Sequence, residues 1–374
     1  MSRRADVAVV GAGIVGLAFA WEAARRGRSV VVFERGPQAE GASVRNFGMV
    51  WPVGQPAGLL LGQATRAAER WRELGDRAGV WVHPCGSLHL AYAADEAAVL
   101  REFVARRPGV ELLTPDEAIR RFPAANPDAL HAVLYSTTEL CVDPPNALPQ
   151  LAAFLAEVHS VTTRFGTVIV GMEASRVHLA GGEVWHAGRV FVCSGTEFAT
   201  LYPAEFAASG LRVCKHQMLK TAPQPGGWRL GPHVAGGLTL GHYTGFEGCP
   251  SLPAVKARLA AEHPEYARYG IHVLASQNAA GEVVIGDSHE YGADVSPFDK
   301  AEIDALILAY LRRLVRLPAW GIAARWHGLY AKHPTLPHVV MDPQPGVTVV
   351  AGLGGSGMTR AFGLAADWWD AHAD

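Results

Sequence analysis

The stretch Asp6-Val7-Ala8-Val9-Val10-Gly11-Ala12-Gly13-Ile14-Val15-Gly16 decides the reading of the chain. A short, mostly apolar run of strand character enters a Gly-x-Gly-x-x-Gly turn, and the turn opens a helical segment from Ile14 to Arg26 that Gly27 ends. Ser29 to Phe33 reads as a second buried strand, closed by Glu34 with Arg35 beside it. Each glycine has a physical task in such a unit. Gly11 permits the tight turn, Gly13 lets the backbone approach a pyrophosphate, and Gly16 lets helix and strand pack closely. Ile14 and Val15 stand at the helix start, where free N–H groups and the helix dipole favour negative charge. Glu34 is placed to accept hydrogen bonds from a ribose. A glycine-rich turn alone also fits a merely flexible loop; with strand, helix and acid in register it reads as a dinucleotide site, without saying which dinucleotide.

A chain of 374 residues with 49% hydrophobic content has room for two domains. A formal net charge of −2 gives no electrostatic case for nucleic acid or an acidic membrane as partner. The five cysteines are odd in number and form no Cys-x-x-Cys pair, which argues against a disulfide framework or zinc site and for a reducing compartment. The first strand starts near residue 6, leaving no room for a signal peptide, and the apolar runs are short and broken. No membrane span and a cytoplasmic enzyme are therefore expected. No His, Asp or Glu spacing suggests a metal site.

After Glu34 a polar, glycine-containing loop carries Ala42 and Ser43 and continues as Arg45-Asn46-Phe47-Gly48-Met49, which suits a ligand extending past its first phosphates. Residues 57–77 repeat apolar side chains at helical spacing, and residues 80–92 read as strands. Thr114, Pro115 and Glu117 form a capping box for a short helix, residues 130–143 suit a strand pair, and Asn146 to Val158 is helical. Strands follow at Thr167 to Val170, Arg176 to Leu179, Val184 to His186 and Arg189 to Cys193, the last running into Ser194-Gly195 and rejoining the first sheet. From Leu211 to about Gly321 antiparallel strands alternate with a Gly/Pro-rich segment and a helix from Pro297 to Arg316. The fold class is thus α/β: a Rossmann-like domain from residues 1–80, 145–210 and 321–374, with an inserted α+β, antiparallel-sheet substrate domain from 81–144 and 211–320.

At the far end, a buried strand from Val347 meets Gly352-Leu353-Gly354-Gly355-Ser356-Gly357-Met358-Thr359, which opens another helix. A second helix N-terminus at the remote end of the ligand favours developing negative charge. Nicotinamide chemistry has no need of that; a flavin, whose pyrimidine ring becomes anionic on reduction, does.

With these residues in view, the chain resembles the superfamily of FAD-dependent D-amino-acid, glycine and sarcosine oxidases over nearly its full length. The resemblance implies noncovalent FAD, since the loop from Ser43 to Met49 holds no His or Cys for attachment. It places Glu34 at the ribose, Thr167-Val168 by the adenine, Cys193-Ser194-Gly195 along the ligand, Arg45 to Met49 at the flavin edge and Gly354 to Thr359 at its pyrimidine side. It also exposes a departure. Where glycine oxidase-like members carry a carboxylate-binding arginine, Trp326-His327-Gly328-Leu329-Tyr330 offers Tyr330, and Gly355 stands where a second arginine is common.

Basic groups lie elsewhere: Arg45, Lys215, His216, Lys332 and Arg360 are the candidate substrate-binding residues, and ten of sixteen histidines follow residue 210. Arg45-Asn46-Phe47-Gly48 and the Trp326 to Tyr330 segment resemble the phosphonate-catabolism-associated subgroup of these flavoproteins. That implies a small amine substrate, 2-aminoethylphosphonate or its N-methyl derivative, oxidised to phosphonoacetaldehyde, with peroxide formed if oxygen is the acceptor. His272, His327 and Tyr330 are the candidate catalytic proton acceptors. The alternatives are another secondary amine, an amino acid or a 2-hydroxy acid on the same fold, and, from a different class, a nicotinamide dehydrogenase or noncatalytic nucleotide-binding protein.

Overall fold

Strand β1 (Arg4–Val10) pairs in parallel with β2 (Val30–Phe33) on one side and with Val184–Val192 on the other, so its centre is buried on both faces. The computed structural model describes residues 3–292 and 295–372. Helix α1 (Ile14–Arg25) connects β1 to β2 and is buried from Leu17 to Ala23. The sheet runs in the order Ile169–Glu173, Arg176–Leu179, Val184–Val192, β1, β2, Thr162–Arg164. Val347–Ala351 pairs in parallel with Val184–Val192 and returns against Val339–Gln344. The strands between 167 and 193 rejoin the first sheet, as their apolar runs and small-residue turn predict.

Helix α2 (Leu59–Ala78) and the C-terminal helix Gly357–Ala371 cover this sheet with α1. Of the expected α2 stripe, Ala64, Ala68, Trp71 and Leu74 are buried, joined by Ala67, while Leu60 and Leu61 are only half-buried, and Gly79 closes the helix in the left-handed region at φ 63°. The contact with the C-terminal helix is unusually close. A Cβ on Gly363 would stand 2.1 Å from the Gln63 carbonyl oxygen, so only glycine fits. Two side chains brace the pair: Trp71 Nε1 donates to the Met358 carbonyl at 2.9 Å, and Gln63 Nε2 donates to Asp367 at 2.9 Å.

The second sheet is largely antiparallel, in the order Glu290–Gly292, Arg212–Pro223, Glu282–Gly286, Leu274–Gln277, His233–Ala235, Ser87–Ala91, Ala132–Ser136, Val110–Leu113. Three expectations need correction. Ile322–Lys332, assigned from the sequence to the nucleotide-binding part, pairs along nearly its whole length with Arg212–Pro223 and so belongs to the second sheet. The two strands of residues 130–143 do not pair with each other: Ala132–Ser136 joins the second sheet, and Leu140–Val142 lies between Met49–Val50 and Val82–His83. The helix expected from Pro297 begins at Ala301, and Pro297 to Lys300 is irregular. Thr114, by contrast, caps Pro115–Arg121 in the predicted box with Glu117. Among the described residues, no helix is long and apolar enough to cross a membrane.

Candidate active site

A cavity of about 920 Å³ runs from the β1 turn to the second sheet. That is near the upper end of small-molecule sites, as a dinucleotide with a substrate beside it requires. Gly11 turns the chain at φ 103°, and a Cβ there would lie 2.4 Å from the Cys193 carbonyl oxygen. Gly13 lies under Ser43, which would meet its Cβ at 3.0 Å, and Gly16 packs beneath the turn against Gly11 rather than lining the cavity. The Ile14 N–H donates to Ser43 Oγ at 2.9 Å, and no side chain of Gly13 caps the helix. Glu34 receives the Ala12 N–H at 2.8 Å and the Gly36 N–H at 2.9 Å, which fixes its carboxylate at the cavity edge. Val15, Arg35, Thr167, Val168, Cys193, Ser194 and Gly195 also line this end.

At the other end Ala42, Ser43, Asn46 and Phe47 line the wall. Asn46 braces its own turn, donating to the Ala42 and Ser43 carbonyls and accepting the Gly48 N–H. Gly48 lies behind this wall, and Met49 and Thr359 border a small adjoining pocket of about 40 Å³. Thr359 Oγ1 accepts the Trp51 N–H at 3.0 Å. Gly352 and Gly354 to Met358 complete the lining, and the helix Gly357–Ala371 starts there without a side-chain cap. A Cβ on Gly357 would sit 3.4 Å from Ile14 Cγ2, so two helix starts meet at one cavity. Two helix N-termini on one cavity, the first with its leading N–H held by Ser43, and the Glu34 carboxylate at the cavity edge fit FAD.

Beyond the Gly352 to Met358 end of the cavity, the second sheet supplies titratable groups. Asp287, 5% exposed, follows Gly286, whose Cβ position is 3.1 Å from the Phe47 ring of the Ala42 to Met49 loop. His216 Nδ1 lies 3.2 Å from Asp287 Oδ2, His272 Nε2 3.3 Å from Oδ1 and His289 Nε2 3.7 Å from Oδ2. Burial pushes the Asp287 carboxyl up, but His289, His272 and His216 outweigh it and hold it down at about 2. Burial pushes His272 down to about 3 and His242 well below its ordinary value, so these imidazoles are neutral beside an ionised carboxylate.

His242, His272 and His289 place donor atoms within 4.8 Å of one another, a grouping that their sequence spacing conceals. Their rings are layered, His242 on His272 at 3.7 Å and His272 on His289 at 4.9 Å and 16°. Layered rings aim their in-plane lone pairs side by side, whereas the nitrogens of a tetrahedral zinc site converge to about 3.4 Å from one another.

The predicted substrate residues divide. Tyr330, His216, His272, Lys332 and Arg360 line the cavity; Arg45, Lys215 and His327 do not. Lys215 is 1% exposed, ion-pairs with Asp299 at 2.9 Å and donates to the Ser296 and Phe298 carbonyls, so it pins the irregular segment before Ala301. His327 Nδ1 meets the same Asp299 at 2.9 Å, and Arg45 donates to the His327 carbonyl at 3.4 Å. Arg360 donates to the Pro337 carbonyl at 3.0 Å, and burial lowers its guanidinium to about 10. Asp287 and His242 escaped the sequence reading. The one local hint of Asp287 is an acid directly after a buried strand.

A family model described as FAD dependent oxidoreductase matches residues 6–368. Glycine oxidase of Geobacillus kaustophilus (strain HTA426) is 28% identical over 215 residues, covering 54% of this chain and 57% of that protein. One of the chains of the opine oxidase of Rhizobium meliloti is 28% identical over 149 residues, covering 35% and 40%. The chain spans about half the length of the curated relatives it matches. Among solved structures, glycine oxidase from Geobacillus kaustophilus superposes with a TM-score of 0.76 at 21% identity, covering 99% of this chain and 95% of that one. L-proline dehydrogenase from P. horikoshii gives 0.78 at 19%, covering 100% and 95%. These two similarities establish the fold, and the match of the family model over nearly the whole chain establishes more: the protein belongs to the family of FAD-dependent oxidoreductases.

Proposed function

We propose that the protein binds FAD noncovalently and oxidises the carbon–nitrogen bond of a small aminophosphonate, 2-aminoethylphosphonate or its N-methyl derivative. Phosphonoacetaldehyde and ammonia or methylamine are the products after the imine is hydrolysed. The observation that carries this reading is the exchange of charges at the cavity. Tyr330 stands where a carboxylate-pairing arginine is expected, while Lys332, two residues on, lies beside Gly354, with its Cδ 3.5 Å from that glycine's Cβ position. An ammonium beside a hydroxyl-bearing wall suits a compact dianion, which needs a point charge and several donors rather than one planar fork. Lys332 Nζ also donates to Tyr291 Oη at 3.4 Å, which steadies the ammonium.

Bound FAD supplies the hydride acceptor. The chain's own residues hold the anionic group at Lys332, keep the amine-bearing carbon near the Gly354 to Met358 turn and accept the amine's proton among the neutral histidines. Turnover of glycine, sarcosine, 2-aminoethylphosphonate and N-methyl-2-aminoethylphosphonate, followed by peroxide release and in parallel by dye reduction, tests the reading. We expect kcat/KM for one of the phosphonates to exceed that for either amino acid by tenfold or more. Faster oxidation of glycine or sarcosine would overturn it.

A further inference from the structure

We infer that Asp287, His272 and His289 form a cation subsite that receives the substrate's amino group as its ammonium ion and removes a proton from it. This deepens the amine-oxidation reading and rests on it, but not on the phosphonate.

The first observation is a set of unmet hydrogen bonds. Asp287 Oδ1 and His272 Nδ1 are buried and lack a hydrogen-bond partner, although their residues line the cavity. Oδ1 is 3.3 Å from His272 Nε2 but is not aligned for a bond. A buried acceptor left unsatisfied costs about 1–3 kcal/mol, more when charged, so such atoms mark where a donor-bearing ligand belongs.

The second observation fixes the kind of ligand. His289 Nδ1 lies 2.8 Å from the Gly270 carbonyl, which can only accept, so Nδ1 carries the hydrogen and the neutral ring turns a lone pair at Nε2 toward Asp287, 3.7 Å away. With His272 neutral as well, the site offers one carboxylate and several lone pairs. An ammonium ion has several N–H donors and the opposite charge; an anion finds only repulsion here.

The groups around the carboxylate support this balance. His216 contacts it from Arg212–Pro223, and burial, with the same carboxylate adding to it, disfavours the ionised forms of Tyr243, Tyr291, Tyr330 and Cys214. Burial first, and with it the charge of Lys332, opposes a proton on His272 and His289, and His242 lies stacked on His272. An anion at Lys332 relieves that opposition. Binding the two ends of a zwitterion then becomes mutually supportive.

The step is a proton transfer. An N–H bond of the ammonium breaks, its electron pair remains on nitrogen as the lone pair that drives oxidation, and the proton passes by way of His272 to solvent; burial keeps that imidazole neutral at rest, while the Asp287 carboxylate favours its charged form during the passage.

Holoenzyme and its Asp287→Asn and His272→Gln variants test the inference, with FAD content and melting temperature checked in each. In binding, tert-butylammonium, whose nitrogen-bearing carbon has no hydrogen to lose, is titrated against the flavin absorbance spectrum. We expect a spectral shift in the parent and at least a tenfold weaker Kd in Asp287→Asn. In catalysis, with whichever amine of the panel is turned over fastest, the parent's kcat/KM is nearly flat across neutral pH, because the ammonium form itself binds and loses its proton on the enzyme. In the variants it climbs tenfold per pH unit toward the amine's own pKa, about 10 for an alkylamine, because only amine already neutral in solution reacts. No spectral shift in the parent, or a Kd and a pH profile unchanged in folded, FAD-loaded variants, overturns the inference. A panel in which phosphonates are poor substrates, with the Asp287 dependence intact, overturns the substrate proposal alone.

Discussion

Lys332 and His327 lie five positions apart on one strand, yet they face different work. Lys332 borders the cavity; His327 is tied to Asp299 outside it. Replacing Lys332 with Met should raise KM for an aminophosphonate about 30-fold or more, the loss of one charge-assisted contact worth about 2 kcal/mol, while FAD stays bound. His327→Ala should alter KM by less than about threefold, under 1 kcal/mol, and steady-state kinetics on the two variants checks both. Residue placements set by local spacing were legible in the sequence. Glu34 and the Gly11 turn are read from a short stretch because the chain itself brings them together. Asp287 was not, because its partners His216 and His272 reach it only through strand pairing and a buried turn, and no spacing rule links them.

Among the elements, the pairing of α2 with the C-terminal helix is the tightest constraint. At Gly363 the helix backbone lies against Gln63, so Gly363→Ala has to push the two apart. Overpacking of this kind costs about 1–3 kcal/mol, and we expect the melting temperature to fall by about 1–4 °C, with weaker FAD retention because Met358 is held by Trp71 of α2. Thermal melting with and without added FAD measures both. Helices were largely readable: the α2 stripe and the Thr114 box are local patterns. The strand Ile322–Lys332 was misassigned because a strand's own residues do not name its partner, and Arg212–Pro223 lies about a hundred positions earlier.

For the whole molecule, buried neutral histidines make stability depend on pH. Burial holds His89 at about 3, His233 at about 4 and His272 at about 3, against an ordinary value of 6.5. Below pH 6.5 the unfolded chain therefore takes up protons that the folded chain refuses until about pH 4. Stability is full above 6.5 and is lost as pH falls through that window, by about 2 kcal/mol for each such histidine at pH 5. Urea midpoints at pH 7.5 and pH 5 should show the drop, and equal midpoints would refute it. The two ends of the cavity were legible at this scale because both are glycine turns that follow buried strands. The meeting of two helix starts at Ile14 and Gly357 has a consequence in time as well as in space. The two halves of the cradle lie more than three hundred residues apart in the chain. During synthesis the Gly11 turn is therefore made long before the Gly352 to Met358 turn, and the two can close on one ligand only once both have left the ribosome.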